Sequence, residues 1–163
     1  MQLKTIFTAA ALAASAAASQ AAAVNWGNHD QLESAVSLSS GGVVFDTYAF
    51  TLNASSNVAS SVSSLGVAAG NYTLWTRGTD NLVGTADDVS VATWSFTGNP
   101  VVHNVALGAG SYYYAVFGYV TGAGAYSLNS SAVAAPVPEP ETYALFAAGL
   151  GMVGFIASRR RRD

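Results

Sequence analysis

Three carboxylates in one short segment are the strongest candidates for metal chemistry in this sequence. Asp80, Asp87 and Asp88 enclose residues 81–86, which include an asparagine and a glycine. Calcium takes roughly six to eight hard oxygen ligands from carboxylates and amides, so the segment predicts a weak calcium site. The spacing lacks the alternating ligands and the closing glutamate of an EF-hand. The alternative is a hairpin loop in which Asp, Asn and Gly form turns.

Aromatic residues offer a second kind of site, a platform for a carbohydrate. Sugar binding needs exposed, coplanar rings with polar groups at the rim, and Trp75 is our candidate for such a ring. The competing interpretation is a hydrophobic core, because half of the rings on any strand point inward. The rings concerned are Trp26, Trp75, Trp94, Tyr112, Tyr113, Tyr114 and Tyr119.

Catalytic constellations find little support. The chain has two histidines, His29 and His103, and no cysteine, so a thiolate metal site and a disulfide scaffold are excluded. His103 falls on the apolar face of its expected strand, where packing is the commoner role. There is no Gly-x-Ser-x-Gly elbow and no phosphate-binding glycine pattern between a strand and a helix. We therefore expect a protein that is not an enzyme and has no cofactor except the calcium just considered.

Charge is scarce and unevenly placed along the 163 residues. Only 9% of the chain is charged, whereas 51% is apolar. Between Val24 and Val137 there are one base, Arg77, and six acids, a net charge of one minus six, or −5. Such a body releases few phosphate counterions, so nucleic acid is not an expected partner. The acids are Asp30, Glu33, Asp46, Asp80, Asp87 and Asp88.

The N-terminal segment, residues 1–23, has the layout of a signal peptide. Lys4 supplies the positive charge, an alanine-rich apolar run covers residues 6–18, and small residues follow. Cleavage by signal peptidase is expected after Ala21 or after Ala23. The alternative is an alanine helix that stays in the protein, although the stretch has no amphipathic period.

The C-terminal segment, residues 136–163, combines three features in a fixed order. Pro138, Glu139 and Pro140 come first, and we expect them to be extended and accessible because proline removes backbone donors and disfavours helix. An apolar run of about 15 residues follows, a helix of roughly 23 Å against a hydrocarbon core of roughly 30 Å. We expect this transmembrane helix at about residues 143–157. The cluster that ends it is Arg159, Arg160, Arg161 and Arg162, which orients the chain with its bulk outside the cytoplasm.

This tail resembles the PEP-CTERM sorting signal of Gram-negative bacteria. The resemblance implies recognition by exosortase, a membrane-embedded cysteine transpeptidase-like enzyme that cleaves near the motif. It makes Pro138, Glu139 and Pro140 the recognition residues and Arg159 to Arg162 the membrane stop signal. The alternative is a plain tail anchor behind a proline linker.

Between the two ends, at 24–135, the pattern predicts an all-β ectodomain, a jelly-roll-like β-sandwich. Short apolar runs alternate with Gly, Asn, Asp and Ser, and a helical period occurs only weakly at residues 30–38, where Asp30 could cap a turn. Residues 53–64 are an edge strand or a loop. Gly-bracketed stretches at 66–71, 108–110 and 122–124 are expected turns, and the first two look like one turn chemistry used twice. The expected strands are 43–52, 72–77, 89–97, 101–107, 112–120 and 125–129.

Two stretches of the ectodomain resemble known families. Residues 107–119 and 124–128 resemble the end of a bacterial pre-peptidase C-terminal domain, which implies a jelly-roll sandwich. Residues 44–50 resemble the Phe-x-Asp-x-Phe element of a PEP-CTERM subfamily around Asp46, with Val44 and Tyr48 at the aromatic positions.

We therefore expect an exported protein that is transiently anchored in the inner membrane and then sorted to the cell surface or the extracellular space. By resemblance, its role is structural or adhesive, in exopolysaccharide or biofilm. The alternative is a carbohydrate-binding module that uses calcium.

Overall fold

The computed structural model describes residues 21–29, 31–136 and 140–160. Residues 1–20 of the expected signal peptide therefore lie outside the described residues, as do Asp30, Pro138, Glu139, Arg161 and Arg162. The described elements are β1 (Ala23–Asn28), β2 (Leu32–Ser39), β3 (Gly42–Leu52), β4 (Ser56–Thr76), β5 (Ser90–Phe96), β6 (His103–Leu107), β7 (Gly110–Ala134) and α1 (Pro140–Arg160).

Two long antiparallel strands, β4 and β7, organise a mostly β domain. They pair with each other almost throughout, from Ser56 opposite Ala134 to Thr76 opposite Tyr112. The first half of β7 also pairs with β3, and the second half of β4 pairs with β5. The second half of β7 pairs with β2, while the first half of β4 pairs with β6. One open sheet thus folds on itself into two sandwich-like layers, and β1 extends the β3 edge in parallel.

The fold-back occurs where the two strands bend together. The register of β4 against β7 shifts between Leu65 and Ala69, and Gly66 has φ of +72°. A Cβ atom on Gly66 would lie 2.5 Å from the carbonyl oxygen of Ala123, and one on Gly124 would lie 2.6 Å from a methyl group of Val120. Only glycine permits this approach, because any side chain would meet the opposite backbone.

The core lies between the layers and is held by phenol groups as well as by apolar contacts. Phe50, Tyr114 and Leu128 are fully buried. The Tyr114 hydroxyl lies 3.0 Å from Ser130 Oγ, which joins the two halves of β7. The Tyr72 hydroxyl donates to the Ser60 carbonyl oxygen at 3.3 Å and joins the two halves of β4 in the same way. These bonds satisfy polar groups that burial would otherwise leave without partners.

Several expectations about elements need correction. Residues 32–39 form strand β2, where the weak period had suggested a helical turn, and residues 56–64 lie in the middle of a layer as part of β4. The Gly-bracketed stretches at 66–71 and 122–124 are bends inside continuous strands, whereas 108–110 does connect β6 to β7. The two similar fragments therefore have different structures. Glycine allows both outcomes, and the long-range pairing of β4 with β7 selects the bend.

Other expectations are confirmed. β3 and β5 occupy their expected ranges to within two residues, and β7 is central, between β3 and β4. Ala92, Trp94 and Phe96 share the inward face of β5, as expected from their alternation. The all-β, sandwich-like class is correct, while the jelly-roll topology stays a prediction.

We predict that Gly66→Ala destabilises the domain by about 2 kcal/mol. A side chain there would adopt an unfavourable positive φ and would press against the Ala123 carbonyl oxygen. Gly122→Ala is the matched control, because nothing lies within 4 Å of its Cβ position. Thermal unfolding of both variants is the measurement. Equal melting temperatures for the two variants would contradict the role of Gly66 in the bend of β4 against β7.

Candidate functional site

The C-terminal tail begins where the sheet ends. The Ala135 amide donates to the Ser55 carbonyl oxygen at 2.8 Å, and Pro136 follows. Helix α1 starts at Pro140 and reaches Arg160, so the helix is longer than the expected 143–157. The expectation that Pro138, Glu139 and Pro140 are extended is wrong for Pro140, which begins the helix. Proline is suited to the first helical position, where its missing N–H has no intrahelical partner.

The large apolar side chains of α1 are exposed all around the helix. An unburied apolar surface of this kind normally contacts lipid or protein. Within the described residues, no helix combines the length and the hydropathy needed to cross a bilayer. The transmembrane anchor stays a prediction. Arg159 is exposed near the helix end, and the exposed apolar residues are Tyr143, Leu145, Phe146, Leu150, Met152, Val153, Phe155 and Ile156.

The loop between β4 and β5 is organised by its carboxylates. Asp87 Oδ2 accepts the Thr79 amide at 2.6 Å and the Thr79 hydroxyl at 2.9 Å, and Oδ1 accepts the Thr85 hydroxyl at 2.8 Å. Asp80 Oδ1 accepts the Leu82 amide at 2.8 Å. These bonds form the turns of the hairpin alternative, because each carboxylate replaces a backbone acceptor.

Asp88 ties this loop to the sheet. Its Oδ2 atom accepts the amides of Gly84 at 2.8 Å and Thr85 at 3.1 Å, and the Tyr113 hydroxyl at 3.0 Å. Burial and the Asp88 carboxylate raise the pKa of Tyr113 to about 12, so the phenol remains a donor. In the described part of the chain, no three metal-ligating side chains gather into a group that could hold an ion. The calcium site at Asp80, Asp87 and Asp88 stays a prediction.

Trp75 lies on the outer face of β4 and stacks on Tyr113. Their ring centroids are 6.3 Å apart with 9° between the planes, and the two residues are cross-strand partners. Trp75 is half-buried, whereas Tyr113 is only 5% exposed beneath the loop. The pair therefore presents one accessible ring, and its carbohydrate role stays a prediction. Trp94 points inward and stacks on His103 at 5.0 Å, which places both rings against the core.

The sequence indicated no role for His29, which the structure buries. Its Nε2 atom lies 2.8 Å from Ser130 Oγ, and its ring packs edge-on against Phe50. His29 thereby attaches the end of β1 to the core, and its amide donates to the Thr51 carbonyl oxygen at 2.9 Å. The neighbouring Trp26 stacks on Tyr48 at 5.4 Å.

A buried carboxylate is the feature that sequence reasoning missed most clearly. Asp46 is 1% exposed, and its Oδ2 atom accepts the hydroxyl of Tyr126. Because the Tyr126 hydroxyl donates its hydrogen to Asp46, it accepts the hydrogen bond from the Tyr48 hydroxyl, which lies 2.7 Å away. Burial, followed by the bond to Asp46, raises the pKa of Tyr126 strongly. Asp46 Oδ1 accepts the amide of Ala22 at 2.6 Å.

Two sets of apolar residues face outward on the sheet. On β3 and β7, Phe45 lies opposite Phe117 and Val43 lies opposite Tyr119. These four residues, which we call the outer patch, are 44–52% exposed. On β2, Leu32, Val36 and Leu38 also point outward, while Ala35 packs against the core. Apolar rows on accessible faces are typical of surfaces that contact another molecule.

Comparison with known proteins identifies the tail. Residues 136–162 match the PEP-CTERM protein-sorting motif, which confirms the resemblance seen in the sequence. No curated protein matches the chain.

Solved structures similar to the ectodomain include the pre-peptidase C-terminal domain of a Bacillus anthracis collagenase. It is 21% identical with a TM-score of 0.49, over 70% of this chain and 97% of that one. The Salmonella Typhimurium inhibitor of g-type lysozyme is 19% identical with a TM-score of 0.42, over 69% and 99%. The Yersinia pseudotuberculosis mitogen is 11% identical with a TM-score of 0.40, over 68% and 92%. The Phe-x-Asp-x-Phe subfamily placement stays a prediction.

We predict that Asp87→Asn lowers the melting temperature in a way that depends on pH. Hydrogen bonds from the Thr79 amide and then from the Thr85 hydroxyl lower the pKa of Asp87 from 3.8 to about 2. The stability contributed by the carboxylate is therefore complete above about pH 4 and disappears as the pH falls towards 2. Calorimetry across this range should show the difference between wild type and variant shrinking with acidity. A difference in melting temperature that stays constant with pH would contradict the stabilising role of the Asp87 carboxylate.

Proposed function

We propose that this chain, whose PEP-CTERM motif implies export and sorting by exosortase, is a structural and adhesive protein of the cell surface or extracellular matrix. Signal peptidase removes the N-terminal segment, and the tail holds the protein in the inner membrane until exosortase acts. Its further partner is exopolysaccharide or biofilm material. We propose no catalytic role for the ectodomain.

The position of the motif relative to the sheet supports this sorting model. In the part of the chain that the structure describes, the last backbone hydrogen bond of the sheet is made by Ala135, and the motif begins at residue 136. A cut within the tail therefore removes no hydrogen bond that the sheet makes among the described residues. An enzyme can release the folded ectodomain without unfolding it.

The outer patch supports the adhesive part of the proposal. Phe45, Phe117 and Tyr119 form a row of half-exposed rings on the paired strands β3 and β7. Burying such rings against another molecule is favourable by roughly 25 cal/mol for each Å² of apolar surface. The body has one base for six acids, so its contacts depend little on positive charge.

A carbohydrate-binding module is the second candidate, and Trp75 is the observation that favours it. Its half-buried ring stacks on Tyr113, whose hydroxyl donates to Asp88 of the 77–89 loop. In this candidate function, a sugar ring stacks on Trp75. Calcium at this loop would assist in the same place.

For sorting, we predict that Glu139→Ala blocks tail removal, whereas Glu141→Ala does not. Glu139 lies between Pro138 and Pro140, and Glu141 is a neighbouring carboxylate outside this Pro-Glu-Pro triplet. Immunoblots of fractionated cells of the host should show intact Glu139→Ala chains in the inner membrane and shortened Glu141→Ala chains at the surface. Intact wild-type chains that persist in the inner membrane would refute sorting by exosortase.

For adhesion, we predict that Phe117→Ser reduces binding of the processed protein to exopolysaccharide at least tenfold, while Trp75→Ala does not. Phe117 is 44% exposed and lies outside the core, so the variant should remain folded, which thermal unfolding checks. Co-sedimentation of both variants with the purified polymer, with and without millimolar calcium, is the measurement. The reverse pattern, with loss only in Trp75→Ala, would favour the carbohydrate module.

A further inference from the structure

Residue 22 is attached to β3 by both of its backbone groups. The Ala22 nitrogen lies 2.6 Å from Asp46 Oδ1, and the Ala22 carbonyl oxygen accepts the Thr47 amide at 2.7 Å. Ala22 is half-buried at the edge of the sheet, whereas Ala21 is exposed. The peptide bond between these two alanines therefore lies at the boundary of the folded domain.

Asp46 has neutral donors on both carboxylate oxygens. Oδ2 accepts the Tyr126 hydroxyl, and Oδ1 accepts the Ala22 amide. The one basic side chain between Val24 and Val137 is Arg77, which donates to the Asn81 carbonyl oxygen in the β4–β5 loop. A buried carboxylate without a countercharge is costly, so a cation at this position would stabilise the fold.

We infer that signal peptidase cleaves between Ala21 and Ala22, and that the new α-ammonium group forms an ion pair with Asp46. One water molecule is consumed: its hydroxyl joins the Ala21 carbonyl carbon, and the Ala22 nitrogen gains a proton from water and a second from solvent. The amide with one N–H becomes an ammonium with three. One of these remains directed at Asp46 Oδ1, now as a charge-assisted hydrogen bond. The inference rests on the proposed export.

The other expected cleavage bond, after Ala23, does not preserve these contacts. It would remove Ala22 and leave Asp46 Oδ1 and the Thr47 amide without their partners. It would also remove the first residue pair between β1 and β3, which is Ala23 with Thr47. Val24 pairs with Tyr48, and two residues of extended chain separate its nitrogen from that of Ala22 by roughly 6.6 Å, beyond hydrogen-bond reach of Asp46.

The ion pair fixes the start of β1 against the core. β1 carries Trp26, which stacks on Tyr48, and is followed by His29, which lies against Ser130. Fixing Ala22, the residue that precedes β1, by charge closes one edge of the core after export. The processed protein is then more stable than the same fold with a neutral N-terminus.

The first test is N-terminal sequencing and intact mass of the protein recovered from outside the cytoplasmic membrane. The expected first residue is Ala22. A chain that begins at Val24, or at another residue past 22, overturns the inference and leaves export intact. A chain that still begins at Met1 overturns both the inference and the proposed export, so the two failures are distinguishable.

The second test removes the charge and keeps the hydrogen bond. Lys4 is the sole lysine of the sequence, so the processed chain has one amine, the α-amine of Ala22. Acetylation of this amine restores an amide N–H, and the acetyl group occupies the place that the exposed Ala21 has in the uncut chain. The acetylated protein should melt several degrees lower at neutral pH. Equal melting temperatures would overturn the ion pair.

The pH dependence and the Asp46→Asn variant complete this test. Asp46 and Tyr48 of β3 and Tyr126 of β7 are the titratable groups that face the amine. The ion pair needs a charged amine and a charged carboxylate, so the extra stability should be present at neutral pH and should be lost as the amine gives up its proton above about pH 8, the ordinary pKa of an α-amine. In Asp46→Asn, acetylation should leave the melting temperature unchanged. A wild-type effect that survives in Asp46→Asn would assign the shift to something other than the ion pair.

Discussion

The continuous pairing of β4 with β7 is the constraint on which the rest of the structure depends. Each of these two strands runs through both layers, and the shorter strands β2, β3, β5 and β6 each pair with one of them. The β4–β7 pair folds back only because Gly66 and Gly124 let the two backbones approach more closely than side chains allow. The polar groups of the core then meet across the fold: Tyr72 reaches Ser60, and Tyr114 reaches Ser130.

Much of this architecture could be predicted from the sequence, because strand alternation is a local signal. β3 and β5 were predicted for this reason. The continuity of β4 and β7 could not be predicted, since a glycine cluster allows either a turn or a bend and a distant partner decides between them. β2 was misinterpreted because its apolar residues face outward, so Leu32, Val36 and Leu38 do not mark a buried face.

The candidate sites divide in the same way. The tail could be recognised because its three features follow one another along the chain, although the helix begins earlier than the prolines suggested. Asp80 and Asp87 accept hydrogen bonds from within the 77–89 loop, which agrees with the turn alternative. Asp46 and Tyr126 each lay in a family-like motif, yet their contact joins residues 80 positions apart and no local pattern indicates it.

The junction between β7 and the tail has a mechanical consequence. β7 ends at Ala134 and the tail follows it directly, so tension on an anchored tail would pull along the axis of the longest strand. That strand is bonded on both sides, to β3 and β4 in one layer and to β2 and β4 in the other. Extraction would require many ladder bonds to shear together instead of opening one after another. The tail is thus joined to the domain by the strand best placed to bear a load.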